Sequence, residues 1–160
     1  KLVKALKRHP SIHTLWLGGN MISDRGVLYL CELCRHNRRL KEINLSNKWP
    51  ELRWESNDHE LHPFITADGA ALLAELLSTP HSHGGTLHNL SLNQQRILDR
   101  GATLLFRSIP FSNLRTLSLS DNQLTDDCCG ALREMLLVPK SNLEYLNLSK
   151  NKITDLGIRL

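Results

Sequence analysis

The chain is 160 residues long, 41% hydrophobic but only 5% aromatic, with a formal charge of +4. Its apolar stretches are short, as in Ala70-Ala71-Leu72-Leu73-Ala74, far below the ~20 residues that a membrane-spanning helix needs, so no transmembrane segment is expected. The charge is lopsided: residues 1–41 carry nine Lys/Arg against two acidic groups, while the other 119 residues carry eleven against fourteen. Nucleic-acid binders spread their basic groups along a working face, and here they gather at one end.

Leucine supplies 33 of the residues, and its spacing organises the chain. A helix is predicted over 1–9. Ile12-x-x-Leu15-x-Leu17-x-x-Asn20-x-Ile22-x-Asp24-x-Gly26 then gives a short strand with inward apolar residues two apart, a turn at Asn20 and a helix over 25–36. The frame returns as Leu40-x-x-Ile43-x-Leu45, followed by a helix over 67–78. It returns as Leu87-x-x-Leu90-x-Leu92-x-x-Gln95-x-Ile97-x-Asp99-x-Gly101, with a helix over 100–108. Leu114-x-x-Leu117-x-Leu119-x-x-Asn122-x-Leu124-x-Asp126 follows, with a helix over 127–137. The last copy is Leu143-x-x-Leu146-x-Leu148-x-x-Asn151-x-Ile153-x-Asp155-x-Gly157. Starts at 12, 40, 87, 114 and 143 give steps of 28, 47, 27 and 29.

Each copy has a physical logic. The Asn turns the chain out of the strand, and its amide can satisfy backbone groups of neighbouring coils. The Asp two residues before Gly is expected to cap the helix that follows. One coil cannot bury its own apolar face, so several must stack around a shared core, and Leu90, Leu92, Leu117, Leu119, Leu146 and Leu148 are expected inside it. The pattern resembles the leucine-rich repeat family, specifically the ribonuclease-inhibitor type, whose units of about 28 residues carry a full helix. The resemblance implies an α/β horseshoe solenoid, with short parallel strands on the concave side and helices on the convex side. Ribonuclease inhibitors, Ran GTPase-activating proteins, NOD-like receptor repeats, tropomodulins and several axonemal subunits share this pattern. The expected unit is one solenoid of about five repeats over residues 1–160. Because Lys1–His9 has no strand before it and Leu160 follows a helix start, it is expected to be an uncapped fragment of a longer protein.

The step of 47 marks an insertion, residues 49–64, in the second repeat, where Lys48 stands in the Asn position. Three of the eight aromatics, Trp49, Trp54 and Phe64, fall there, with Glu51, Glu55, Asp58 and Glu60 against Arg53. Insertions within repeats map to one face, often the binding face, which makes these aromatics candidate protein contacts. The bland alternative is that they fold back to cover their own coil.

Cys31-Glu-Leu-Cys34 invites a zinc or redox reading. Column by column, however, Cys34 aligns with Leu77, Ile109 and Leu136, and Cys129 with Val27, Ala70 and Ala102, which are core slots for a small hydrophobe. No second pair stands at finger-like spacing. His59-Glu-Leu-His62 has i, i+3 spacing, whereas the zinc-protease pair needs i, i+4 on a helix. With no phosphate loop and no nucleophile elbow, neither catalytic nor metal residues nor a cofactor are expected.

Along the strands, the outward residues are mostly small and polar: Thr14, Gly18, Asn44, Ser46, Asn89, Ser91, Asn93, Thr116, Ser118, Ser120, Asn147 and Ser149. Trp16, Glu42 and Tyr145 alone have the size or charge to anchor a partner on the concave face. Arg8, Arg35, Arg38, Arg39 and Lys41 form a basic edge beside the first two helices, and cations near helix C-termini also answer the dipole. The reading is a non-enzymatic protein-interaction scaffold, a subunit of a larger assembly in an intracellular, cytoplasmic setting, with cytoskeletal or axonemal (ciliary) assemblies among those of the look-alikes. Alternatives are a regulator of a GTPase or other nucleotide-driven enzyme, or a nucleic-acid-associated subunit using the basic edge.

Overall fold

The computed structural model describes residues 1–47, 64–79, 86–139 and 141–159. Five three-residue strands, β1 (Thr14–Trp16), β2 (Glu42–Asn44), β3 (Asn89–Ser91), β4 (Thr116–Ser118) and β5 (Tyr145–Asn147), pair in parallel in sequence order. The register is that of the repeat frame: Leu15, Ile43, Leu90, Leu117 and Leu146 stand opposite one another across the sheet. Helices α1 (Leu2–Leu6), α2 (Asp24–His36), α3 (Ala67–Ser78), α4 (Leu98–Ser108), α5 (Cys129–Leu136) and α6 (Asp155–Arg159) alternate with the strands. The architecture is α/β, with the inward leucines of the strands and the apolar faces of the helices forming one core cluster. Leu90, Leu92, Leu117 and Leu119 are fully buried in it. Leu146 and Leu148, expected inside, are only partly buried, because β5 and its coil have a neighbour on one side alone among the described residues.

The amide ladder forms as the side chains dictate. Asn122 Nδ2 donates to the Leu92 carbonyl at 2.8 Å and Asn151 Nδ2 to that of Leu119 at 2.9 Å. Their Oδ1 atoms accept from Ile97 N–H at 3.3 Å and Leu124 N–H at 3.1 Å. Gln95 makes the same two bonds to the coil before it, to the Leu45 carbonyl at 2.7 Å and from Ile65 N–H at 2.8 Å. Lys48, the departure in that preceding coil, lies outside the described residues. One residue before each ladder amide, Gly19, Gln94, Asp121 and Lys150 take positive φ between 56° and 73°, which closes the turn.

The Asp position differs from expectation. Asp24, Asp99 and Asp126 do not cap their own helices; each carboxylate reaches the next coil. Asp24 accepts from Thr66 N–H (2.8 Å) and Oγ1 (2.7 Å), Asp99 from Thr125 (2.7 and 2.8 Å), and Asp126 from Thr154 (2.7 and 2.5 Å). The threonine is the cap: Thr66, Thr125 and Thr154 hydroxyls accept from the N–H of Asp68, Asp127 and Leu156 at 3.2–3.3 Å. Gly69 and Gly157 are required here, because a Cβ at either position would collide with the carboxylate from the preceding coil. In the second and third coils Ala67 and Leu98 occupy the Asp and Thr positions, so that seam carries no such staple.

In the fourth coil Cys128 replaces the glycine, and the first turn tightens to a 3-10 turn over Asp126–Cys128 before α5 begins. Ala131 and Met135 face the core while Leu136 is 63% exposed, contrary to its expected inward column. A turn of three residues rather than 3.6 rotates everything after it. All four cysteines are buried and unpaired by disulfides, consistent with a packing role. No helix among the described residues is long and apolar enough to cross a membrane.

Candidate protein-binding surface

The strand face turned away from the helices is the candidate surface. Its small polar residues are tied down locally: Ser118 Oγ lies 2.7 Å from Asn93 Oδ1, and Ser46 Oγ accepts from Asn93 N–H at 3.1 Å. Ser46 and Ser118 are in consequence buried, not outward as expected. Two large side chains stay uncovered, Trp16 at 71% and Tyr145 at 57% exposure.

These two do not converge. Trp16 lies on β1 and Tyr145 on β5, four strand steps apart, about 19 Å at the usual spacing. Glu42 does join Trp16: its Oε1 accepts the indole N–H at 2.6 Å, and its Oε2 accepts from Asn89 Nδ2 at 3.3 Å. The carboxylate expected as an anchor is therefore occupied on both oxygens, and its work is to hold the indole in one orientation with its ring bared.

The insertion aromatics divide. Trp49 and Trp54 lie outside the described residues. Phe64 is half-buried, with the Arg96 guanidinium 4.6 Å from its ring centroid, so it meets this chain's own cation.

The basic edge also changes. Arg35 pairs with Glu75 of α3 at 3.2 Å, and Lys7 with Glu32 of α2 at 2.5 Å, which holds the Glu32 carboxyl below its ordinary range. Arg8, Arg38, Arg39 and Lys41 are exposed where helices return to strands. That rim continues further than the clustering in sequence indicates. The carbonyl of His13 accepts from Lys41 and Glu42 N–H at 2.7 and 3.0 Å, and that of Lys41 from His88 and Asn89 at 2.8 and 3.0 Å. The carbonyl of His88 accepts from Arg115 and Thr116 at 2.7 and 2.9 Å. His13, Lys41, His88 and Arg115 thus stand in one row across four coils. Only the shared frame position could have shown this, since the four are 74 or more residues apart in places and form no charge cluster in sequence.

The cysteines sit where burial disfavours the thiolate. Burial pushes the Cys31 thiol up to about 11 and those of Cys34 and Cys128 to about 12. No group of three or more His, Cys, Asp or Glu able to hold a metal stands together among the described residues.

Residues 112–132 and 140–160 match the family described as Leucine Rich repeat. The chain is 32% identical over 137 residues to the human NACHT, LRR and PYD domains-containing protein 13, covering 84% of this chain and 11% of that protein. It is 30% identical over 178 residues to the mouse NACHT, LRR and PYD domains-containing protein 14, covering 86% of this chain and 18% of that protein. The in-register coils, the two matched segments and these relatives together support a leucine-rich repeat family for this chain.

Proposed function

We propose that the chain is a non-enzymatic protein-binding platform, a ribonuclease-inhibitor-type horseshoe that presents its strand face to a partner within a larger intracellular assembly. The observation that carries this is a pair of bared aromatics, Trp16 and Tyr145, at opposite ends of a sheet whose other outward residues, Glu42 apart, are small and polar, several of them bonded to one another. Stacked coils make a stiff, extended platform, and exposed Trp and Tyr are the side chains that anchor partners. Repeat steps of 27–29 residues outside the insertion, with a helix in each coil, favour the ribonuclease-inhibitor type. The chain spans only 11% and 18% of the two relatives' length, which supports reading it as a repeat module within a longer protein. A cytoskeletal or axonemal assembly is one setting to be read from the captured partners.

Co-purification followed by mass spectrometry tests this with Trp16→Ala and Tyr145→Ala, singly and together. The expected result is loss of the same partner from both single variants, with melting unchanged. Full capture by the double variant overturns the strand-face platform.

A further inference from the structure

We propose that the rim formed by Arg39, Lys41, His13, His88 and Arg115, with the Trp16 ring beside it, binds an extended acidic segment of a partner protein. This rests on the strand-face platform above and names the chemistry of what it takes. The backbone ladder pins successive rim residues at the strand separation, about 4.8 Å, so the row from His13 to Arg115 spans about 14 Å. An extended peptide rises about 3.3 Å per residue, so four or five residues cover the row and place two or three acidic side chains on it. Lys41 and Arg39 are exposed and make no ion pair with another described residue, whereas Arg115 leans on Glu144 at 3.0 Å. His88 Nδ1 donates to the Thr86 carbonyl at 2.6 Å, which fixes its ring in the row.

Two features favour a polypeptide over a nucleic acid. Glu42 follows Lys41 directly, and Glu144 ends the row, so the positive strip is interrupted by carboxylates. A phosphate backbone carries a charge at every unit and would meet both, while a peptide can set uncharged residues there. Trp16, held by Glu42 two strand positions along from Thr14, offers an apolar face for a residue between the acids.

The test is fluorescence anisotropy with the purified chain and three dye-labelled probes: a decapeptide alternating Glu and Val, its Gln/Val counterpart, and a ten-nucleotide oligouridine. The acidic peptide is expected to bind best, with affinity falling as salt rises. Reversal of the rim, Arg39→Glu with Lys41→Glu, is expected to weaken it by about tenfold or more, as like charges would then face the acids. Arg25→Glu with Arg133→Glu, on exposed helix positions, makes the same change in net charge and is expected to leave binding within about twofold. Trp16→Ala is expected to lower it several-fold. Equal weakening by the two double variants, tighter binding of oligouridine, or no preference over the Gln/Val peptide overturns the inference. Partner capture that survives rim reversal but falls with Tyr145→Ala overturns the acidic-segment inference and leaves the platform standing. Acidic-peptide binding lost on rim reversal, with full partner capture by the Trp16→Ala, Tyr145→Ala double variant, overturns the platform and leaves only the rim's affinity for acidic peptide.

Discussion

A primary amide both donates and accepts, so one side chain can close two backbone groups that a turn would otherwise leave open. Asn122 does this while fully buried, serving the Leu92 carbonyl and Ile97 N–H of the preceding coil. Asn122→Ala leaves both groups unpaired in the core and is expected to cost about 2–4 kcal/mol, read from urea unfolding, whereas an exposed site such as Asn142→Ala should cost well under half of that. This role was legible from residue type alone. The Asp role was not, because Thr125-Asp126 offers two residues able to cap one helix, and only the stacking shows that the threonine caps while the carboxylate staples the next coil. The staple has a pH signature. Hydrogen bonds from Thr154 hold the Asp126 carboxyl below its ordinary value. A depressed folded-state pKa stabilises above the unfolded value, about 3.9, and that contribution is lost as pH falls through the folded-state value. Asp126→Asn should therefore show a smaller drop in melting temperature between pH 6 and pH 3 than the native chain; an equal drop would show that the bond carries no linkage.

At the scale of elements, the strands and most helices were readable because their inward leucines recur at fixed offsets. The helices predicted over 67–78 and 25–36 appear as Ala67–Ser78 and Asp24–His36. The misread element is α5, where a single cysteine in the glycine column tightens the first turn and turns Leu136 outward. A column alignment assumes one helical pitch, so Cys128 in the glycine column marks a departure without showing that the turn would tighten. The insertion was legible as an interruption of period but not as a surface. Replacing residues 51–62 by a short Gly-Ser link separates its two roles: a contact loop predicts loss of partner capture with melting within a few degrees of native. Unchanged capture, or collapse of the melt, would mark the segment as structural cover. The buried thiols give a simpler check at this scale. Raised well above neutral pH and enclosed by α2, α3 and α5, they should resist iodoacetamide at pH 7 and react only on unfolding.

A molecule built of coils that touch only their neighbours has no single centre, so its stability is a sum along the stack rather than one all-or-none core. Leu117 sits on the fourth of five strands with no exposed surface, between Leu90 and Leu146 in register. Leu117→Ala removes three buried carbons and opens a cavity that flanking coils only partly close, which should cost about 2–5 kcal/mol. Because β1 and α2 share no direct packing with that site, the loss should be local in its effects. Native-state hydrogen exchange separates the possibilities. Amides that bridge the third, fourth and fifth coils, such as those of Leu92, Leu119 and Tyr145, should lose most of their protection, while Leu17 and Asn37 N–H keep theirs. The seam between the second and third coils sharpens this expectation. It lacks the Asp–Thr staple found at the other three helix junctions from α2 onward, so damage spreading toward the first repeat should stop there rather than pass through. Uniform loss of protection from the first coil to the fifth would mean that the stack opens as one body, and the nearest-neighbour account of its stability would then be wrong.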